Sequence, residues 1–199
     1  AIMLLLCFGM MLFGCADDNG RRKAEQQKTI VVTDSVGRKV ELPYPLERVA
    51  VCNVYNAELI TAVGAIDKIV GVDNYIFKDQ SGFKNRFNEA QVFGISQNAM
   101  NYEKLAELSP QAVIITGEGT WRDAQEMLDR FGIKVVVINS YYTDQFADNC
   151  RLIGRIFGRE EQAEELVNYF NDKLAYIQKQ LQGVCNRSLY FEYRTLGKT

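Results

Sequence analysis

Short apolar runs alternate with amphipathic stretches through the middle of the chain. Four runs of aliphatic and β-branched residues predict buried strands, at 48–52, 68–72, 112–116 and 134–138. Apolar positions recur at helical spacing between and after them, which predicts helices at 57–63, 101–108, 122–131 and 144–157. Because strands that alternate with helices pair in parallel and are covered on both faces, the pattern predicts an α/β fold with a central parallel sheet flanked by helices.

Two further elements flank this pattern. A β-branched run at 29–33 and an alternating run at 38–42, joined by turn residues at 34–37, predict a hairpin. A long helix is predicted at 160–182, with a length of about 34 Å at 1.5 Å per residue. Its apolar face comprises seven residues, namely Ala163, Leu166, Val167, Phe170, Leu174, Ile177 and Leu181.

The first fifteen residues are typical of a lipoprotein signal peptide. Residues 2–13 are almost all apolar, and the run is too short to span a bilayer, which needs about 20 apolar residues. The stretch Leu12-Phe13-Gly14-Cys15 resembles the lipobox of bacterial lipoproteins, in which the cysteine is lipidated. Residues 16–28 are polar and charged, so we expect them to form a flexible tether. The alternative for the apolar run is a buried helix that contains a cysteine.

Composition narrows the possible functions. Of 199 residues, 47% are hydrophobic and 24% charged, which is typical of a globular protein. A formal net charge of -2 gives no broad basic field to neutralise phosphates, so we expect no nucleic-acid partner. The sequence has no histidine, although imidazole is a preferred zinc ligand and a frequent catalytic base. This absence disfavours a bare metal ion as the ligand and removes Ser-His and Cys-His catalysis. We also expect no metal site and no bound cofactor.

The five cysteines match no zinc-binding pattern. Cys7 would leave with the signal peptide and Cys15 would be lipidated, which leaves Cys52, Cys150 and Cys185. Each of these three is expected to be a small buried hydrophobic residue. One disulfide is also compatible with an extracytoplasmic protein, and the sequence does not choose its pair.

Several stretches, taken in order, carry a family resemblance. They are Val32-Thr33-Asp34-Ser35-Val36-Gly37-Arg38-Lys39-Val40, Pro45-Leu46-Glu47-Arg48-Val49, Glu58-Leu59-Ile60 with Ala62-Val63-Gly64, Lys68-Ile69-Val70-Gly71-Val72, and Asn101-Tyr102-Glu103-Lys104-Leu105 followed by Leu108-Ser109-Pro110-Gln111-Ala112-Val113-Ile114. Together they resemble the first lobe of the cobalamin and iron-siderophore class of ABC-transporter substrate-binding proteins, the helical-backbone or class III periplasmic binding proteins. Gln111 stands where this class usually has an aspartate.

The resemblance implies two α/β lobes joined by one long, stiff helix, with the ligand held between the lobes. On this basis we expect an N-terminal ligand-binding lobe at 29–158 and an interlobe helix at 159–185. Residues 186–199, with a strand at 188–193, would begin a second lobe that is largely missing from the sequence.

Candidate ligand-binding residues lie in the loops that follow the predicted strands, because ligands of parallel sheets bind beyond the carboxyl ends of the strands. The polar and aromatic side chains of these loops are Asn53, Tyr55, Asn56, Tyr75, Trp121, Tyr141 and Tyr142. The aromatic rings could stack on a flat macrocycle or a catecholate, while Arg122 and Arg194 could pair with an anionic chelate. The alternative for each tyrosine is an amphipathic surface position beside the core.

Glu103 has both a structural and a family-based interpretation. It follows the predicted cap Asn101, and a carboxylate at a helix start is favourable by about 0.3 to 1 kcal/mol. In the family that the chain resembles, a glutamate at this position pairs with arginines of the permease.

The function implied is that of a lipid-anchored extracytoplasmic receptor, and not of an enzyme. It would capture a metal chelate, such as an iron-siderophore, haem or a cobalamin-like ligand, and deliver it to an ABC permease and its ATPase. One alternative is a receptor for an oxyanion of the molybdate or tungstate type. Another is a membrane-anchored α/β enzyme that uses Glu58, Asp73 and Glu118 as acid and base, although no complete catalytic motif is present.

Overall fold

Residues 28–79 and 82–184 are the part of the chain that the computed structural model describes. The predicted signal peptide with Cys15, residues 16–27 of the tether, Cys185 and the 186–199 segment with Arg194 lie outside these residues. No helix in the described ranges is long and apolar enough to cross a membrane.

Two sheets form the β structure of the described residues. The antiparallel hairpin consists of β1 (Thr29–Thr33) and β2 (Lys39–Pro43), as predicted. The central sheet is parallel throughout, with strand order β5-β4-β3-β6-β7. Its strands are β3 (Val49–Val51), β4 (Ile69–Asp73), β5 (Val92–Gly94), β6 (Ala112–Ile115) and β7 (Lys134–Val137). The predicted α/β fold with a central parallel sheet is confirmed.

Helices connect and cover the strands of the central sheet. They are α1 (Val54–Ala62), α2 (Asn74–Lys78), α3 (Tyr102–Glu107), α4 (Trp121–Asp129), α5 (Phe146–Phe157) and α6 (Glu160–Gln180). Single turns of 3-10 helix at Ile66–Lys68, Glu89–Gln91 and Thr143–Gln145 precede β4, β5 and α5. The predicted long helix is confirmed as one continuous element of 21 residues.

The strands of the central sheet are buried on both faces, and alternate residues enter two different cores. Val49 and Val51 of β3 join the core that includes α1, α5 and the start of α6, whereas Ala50 joins the core under α3 and α4. In β6, likewise, Ile114 enters the first core and Val113 the second. This double burial explains why the strands read as continuous apolar runs.

Two elements of the fold were not predicted. Strand β5 has only three residues, of which Phe93 alone is fully buried, so its apolar run by itself is shorter than that of an ordinary strand. The segment expected to be a polar loop after β4 is helix α2. Its first turn is stabilised by Asp73, whose carboxylate accepts a hydrogen bond from the backbone N–H of Ile76 at 3.0 Å.

Asp34 anchors the hairpin to the edge of the central sheet. Its buried carboxylate accepts hydrogen bonds from Arg38 Nη2 at 2.6 Å and Nε at 3.0 Å, and from the backbone N–H of Val137 at 3.3 Å. Arg38 in turn donates to the carbonyl of Val135 at 3.1 Å and lies 4.3 Å from the centre of the Trp121 ring. Asp34 and Arg38 therefore connect the hairpin to β7 and to Trp121 of α4.

Helices α5 and α6 pack closely because a glycine lies at their contact. A Cβ atom at Gly154 would lie 2.5 Å from Ala163 Cβ and 3.0 Å from the carbonyl oxygen of Arg159. Gly158, with a φ of 63°, ends α5 in the left-handed conformation and turns the chain into α6. Beyond residue 170 every described residue of α6 is exposed, including Leu174, Ile177 and Leu181 of its apolar face.

The two cysteines in the described part are free thiols. Cys52 belongs to the core under α3 and α4, whereas Cys150 belongs to the core on the opposite face of the sheet. They form no disulfide with each other, and Cys185 lies outside the described residues. Burial raises the pKa of both thiols, to about 12 for Cys150.

The Asp34–Arg38 pair gives a first testable prediction. In Asp34→Ala, the Arg38 guanidinium, which is only 22% exposed, loses its carboxylate partner. This loss should lower the free energy of unfolding by about 2 to 3 kcal/mol. Urea denaturation measures the change. The control is Asp67→Ala, because Asp67 is 63% exposed and 3.4 Å from Lys68, and such a pair contributes about 1 kcal/mol or less. Equal losses in both variants would contradict the anchoring role of Asp34.

The α5–α6 contact gives a second prediction. Gly154→Ala should destabilise the protein by about 1 to 3 kcal/mol, because the new methyl group has no space against Ala163. Thermal unfolding monitored by circular dichroism measures the change. Adding Ala163→Gly should recover part of the loss, since it removes one of the two close contacts. A Gly154→Ala protein as stable as the wild type would show that the two helices are not held at this distance.

Candidate functional site

A cleft lies at the carboxyl ends of β3, β4, β5 and β6, with a volume of about 570 Å³. This volume is within the range of small-molecule sites, about 300 to 1,000 Å³. The residues that line it are Asn53, Val54, Tyr55, Glu58, Asp73, Tyr75, Ser96, Gln97, Asn98, Thr116 and Glu118. They follow four different strands, so the sheet itself brings them together.

The order of the strands explains the position of the cleft. From β3 the chain proceeds outward through β4 to β5, then returns to place β6 on the other side of β3. The loops after β3 and β6 therefore diverge to opposite faces of the sheet and leave a crevice at its edge. Such a reversal of strand order is the usual position for ligands in open parallel sheets.

Asn53 shapes the floor of the cleft between β3 and α1. Its φ of 78° lies in the left-handed region, which asparagine tolerates better than most residues. Its side-chain oxygen accepts a hydrogen bond from the backbone N–H of Tyr55 at 2.9 Å, and its own N–H donates to Asp73 at 3.1 Å. This strained backbone position fixes the start of α1, and it thereby orients Tyr55 in the first turn of that helix.

Asp73 lies beneath the cleft and is 2% exposed. One carboxylate oxygen accepts from the N–H of Asn53 and the other from the N–H of Ile76. Burial raises the pKa of this carboxyl, and the hydrogen bonds from the backbone N–H groups of Ile76, Asn53 and Tyr75 oppose the rise. Asp73 thus joins the two loops that follow β3 and β4.

Gln97 and Glu118 connect the loops on the other side of the cleft. The side-chain oxygen of Gln97 accepts from the backbone N–H of Thr116 at 2.9 Å and from its hydroxyl at 2.8 Å, and the Gln97 amide donates to the carbonyl of Glu118. The Glu118 carboxylate accepts from the Tyr141 hydroxyl at 3.0 Å. These bonds fix the loops after β5, β6 and β7 relative to one another.

Two tyrosines present apolar surface to the cleft. Tyr55 is 53% exposed and Tyr75 is 62% exposed, and they stand at the starts of α1 and α2. Large exposed aromatic side chains beside a polar floor are typical of sites that orient a ligand by stacking and hydrogen bonding.

The structure brings together part of the predicted site. Asn53, Tyr55 and Tyr75 line the cleft. Tyr141 adjoins it through its bond to Glu118, and its ring centre lies 4.3 Å from that of Tyr142. Partial burial, followed by the hydrogen bonds with Tyr142 and Glu118, raises the pKa of the Tyr141 phenol.

Other predicted residues lie away from the lining. Asn56 is fully buried, where its amide donates to the carbonyl of Cys52 and accepts from the Ser140 hydroxyl. Trp121 is 8% exposed and packs in the core under α3 and α4, and the Arg122 guanidinium lies 4.2 Å from its ring centre.

Sequence reasoning missed Ser96, Gln97, Asn98 and Thr116 as lining residues. The first three follow β5, which the apolar pattern did not reveal. The polar run after Gly94 was the available signal, because a short apolar segment followed by polar residues is typical of a strand end. In the described ranges, no group of three His, Cys, Asp or Glu side chains is arranged to hold a metal ion.

Glu103 stands on the first turn of α3, apart from the cleft lining. Asn101 caps this helix by accepting a hydrogen bond from the N–H of Lys104 at 2.9 Å, as predicted. Glu103 itself is exposed. The capped helix fixes the backbone position of Glu103, and its carboxylate is open to contact from outside.

Two curated proteins of Bacillus subtilis (strain 168) are similar to the chain. The uncharacterized ABC transporter substrate-binding lipoprotein YvrC is 23% identical over 188 residues, which cover 90% of this chain and 58% of that protein. The iron(3+)-hydroxamate-binding protein YxeB is 26% identical over 193 residues, which cover 96% of this chain and 56% of that protein. The chain thus spans a little over half the length of these relatives.

Structural comparison agrees with the sequence matches. The crystal structure of a periplasmic solute binding protein from Veillonella parvula DSM 2008 superposes with a TM-score of 0.66 at 27% identity, over 80% of this chain and 50% of that one. The sequence profile of the family described as Periplasmic binding protein matches residues 49–192. Since this match covers well over half of the 199 residues, the chain belongs to the periplasmic binding protein family.

Proposed function

We propose that this chain is the first lobe of an extracytoplasmic, lipid-anchored substrate-binding protein of an ABC importer. Its cargo is a metal chelate, such as an iron-siderophore, haem or a cobalamin-like ligand, which it delivers to a permease and its ATPase. The observation that carries the proposal is the open cleft at the strand ends, which joins two exposed tyrosines to a floor of fixed polar groups.

The cleft has the character of one half of a binding site. It is bounded on one side by the strand-end loops, and its tyrosines remain more than half exposed. A site for a small molecule usually buries most of the ligand surface. A second lobe that closes over the first would supply the missing cover.

Helix α6 supports this arrangement. Its first turns pack into the core through Ala163 and Val167, whereas Leu174, Ile177 and Leu181 are between 40% and 58% exposed. A row of exposed apolar residues on a helix indicates a surface that another part of a protein covers. The proposal assigns this surface to the second lobe and the helix to the link between lobes.

The names of the relatives support the class of cargo and the location. One is called an ABC transporter substrate-binding lipoprotein and the other an iron(3+)-hydroxamate-binding protein. In the proposal, Cys15 carries the lipid and residues 16–28 separate the lobe from the membrane. The oxyanion alternative draws less support, because the described lining of the cleft contains no lysine or arginine.

Glu103 is the proposed contact with the permease. Its exposed carboxylate lies on the first turn of a capped helix, and this helix follows β5, whose carboxyl end reaches the edge of the sheet where the cleft lies. A charged group fixed on this edge would direct the receptor to a basic surface of the permease.

Ligand binding gives a third prediction. Tyr55→Ala and Tyr75→Ala should each weaken binding of a ferric trihydroxamate by about three- to tenfold, since each removes an aromatic contact. Fluorescence quenching of the full-length protein measures the affinity. Phe131→Ala is the control, because Phe131 is 47% exposed at the opposite edge of the sheet, beside the start of β7. Unchanged affinity in both tyrosine variants would remove these side chains from the site.

Docking gives a fourth prediction. Glu103→Gln should leave chelate affinity unchanged and slow uptake through the cognate permease by roughly three- to tenfold, because only the charge at the contact is lost. Uptake of radiolabelled iron chelate into cells measures the effect. Glu107→Gln is a matched control on the same helix, one turn further along. Normal uptake with Glu103→Gln would contradict the docking assignment.

A further inference from the structure

The charges that the described residues bring to the cleft lining are all of one sign. Within this part of the chain, Glu58, Asp73 and Glu118 belong to the lining, and no lysine or arginine does. None of the three carboxylates forms an ion pair with another described residue. The whole chain is nearly neutral, with a formal net charge of -2, so this concentration of negative charge is a property of the cleft.

The three carboxylates are not equally available to a ligand. Asp73 is buried, and both of its oxygens accept hydrogen bonds from backbone N–H groups. Glu118 is exposed, and one of its oxygens accepts from the neutral Tyr141 phenol, which leaves its charge uncompensated. Glu58 is exposed on α1. Glu58 and Glu118 therefore present their charge to the interior of the cleft.

The aromatic side chains supply an independent observation. Tyr55 and Glu58 are three residues apart on α1 and so lie on the same face of the helix. Tyr75 adds a second exposed ring to the same lining. The face of an aromatic ring carries negative potential and attracts ammonium groups. Exposed rings beside unpaired carboxylates are thus suited to a cation and unsuited to an anion.

The arginines of this part of the lobe do not offset the carboxylates. Arg38 is paired with Asp34 and lies against the Trp121 ring. Arg122 lies near the same ring and is not part of the lining. The expected pairing of Arg122 with an anionic chelate would require the side chain to leave this position.

We infer that this half of the site selects chelates that carry positive charge, such as a ferric hydroxamate with a free ammonium group, over anionic chelates. The inference rests on the proposed function and adds the charge of the cargo to it. Glu58 and Glu118 are the residues that determine the preference, because an anion in the cleft would meet two uncompensated negative charges.

A series of chelates that differ only in charge tests the inference. One ferric trihydroxamate is used with its terminal amine free, acetylated or succinylated, which changes the charge of the side arm from positive to neutral to negative. A ferric tris-catecholate serves as a strongly anionic chelate. Affinities for the full-length protein are measured by fluorescence quenching at low salt and at 1 M salt, where the Debye length is only about 3 Å.

We expect affinity to fall by about threefold for each unit of charge, in the order amine, acetyl, succinyl, and the differences to shrink at 1 M salt. Glu58→Gln and Glu118→Gln should each reduce the preference, and the double variant should remove most of it. Glu126→Gln, which removes the same charge from an exposed position of α4 outside the lining, should leave the preference intact.

The possible failures are distinguishable. Equal binding of the three hydroxamates, or tighter binding of the succinylated form or the catecholate, would overturn the charge preference while leaving chelate binding established. A preference that persists in the double variant would assign it to other residues and would also overturn the inference. Absence of binding to every hydroxamate and catecholate, and to haem and cobalamin, would overturn the proposed function, and the charge preference with it.

Discussion

Burial of both faces of the central sheet is the constraint on which the rest of this lobe depends. Strands β3 and β6 place alternate residues in two separate cores, so neither strand has a free face for polar chemistry. Polar groups must therefore gather where the strands end. Since all five strands are parallel, their carboxyl ends meet at one edge, and the reversal between β3 and β6 opens the cleft there.

The loops at this edge are held by hydrogen bonds between elements that are far apart in the sequence. Asp73 binds the N–H of Asn53, and Gln97 binds the N–H and hydroxyl of Thr116. On the neighbouring edge strand, Asp34 joins the hairpin to β7. These carboxylate and amide groups are already hydrogen-bonded within the protein, and they hold the loops of the cleft floor together. The groups left to meet a ligand are mainly the exposed tyrosines and glutamates.

In the proposed receptor, helix α6 links this lobe to the second one. The close contact of Gly154 with Ala163 fixes the direction in which the helix leaves the core. Beyond its first turns the apolar face has no cover among the described residues. The same helix thus combines a packed half, which belongs to this lobe, with a half suited to contact with another. The proposal of a site completed by a second lobe accounts for both the unpaired charge of the cleft and the uncovered helix face.

The sequence by itself determined the elements whose signals are local: the hairpin, four of the five central strands, the long helix and the cap at Asn101. Each follows from apolar periodicity or from a side chain that binds its own backbone nearby. The sequence also indicated Asn53, Tyr55 and Tyr75 as candidate ligand-binding residues, because they lie in loops that follow predicted strands. All three line the cleft. Only the tertiary structure decided that Asn56 and Trp121 turn inward, that Gln97 and Thr116 meet, and that the cleft carboxylates have no counterion among the described residues. Those outcomes depend on which strands become neighbours. A hydrogen bond between residues as far apart as Gln97 and Thr116 leaves no local pattern in a sequence.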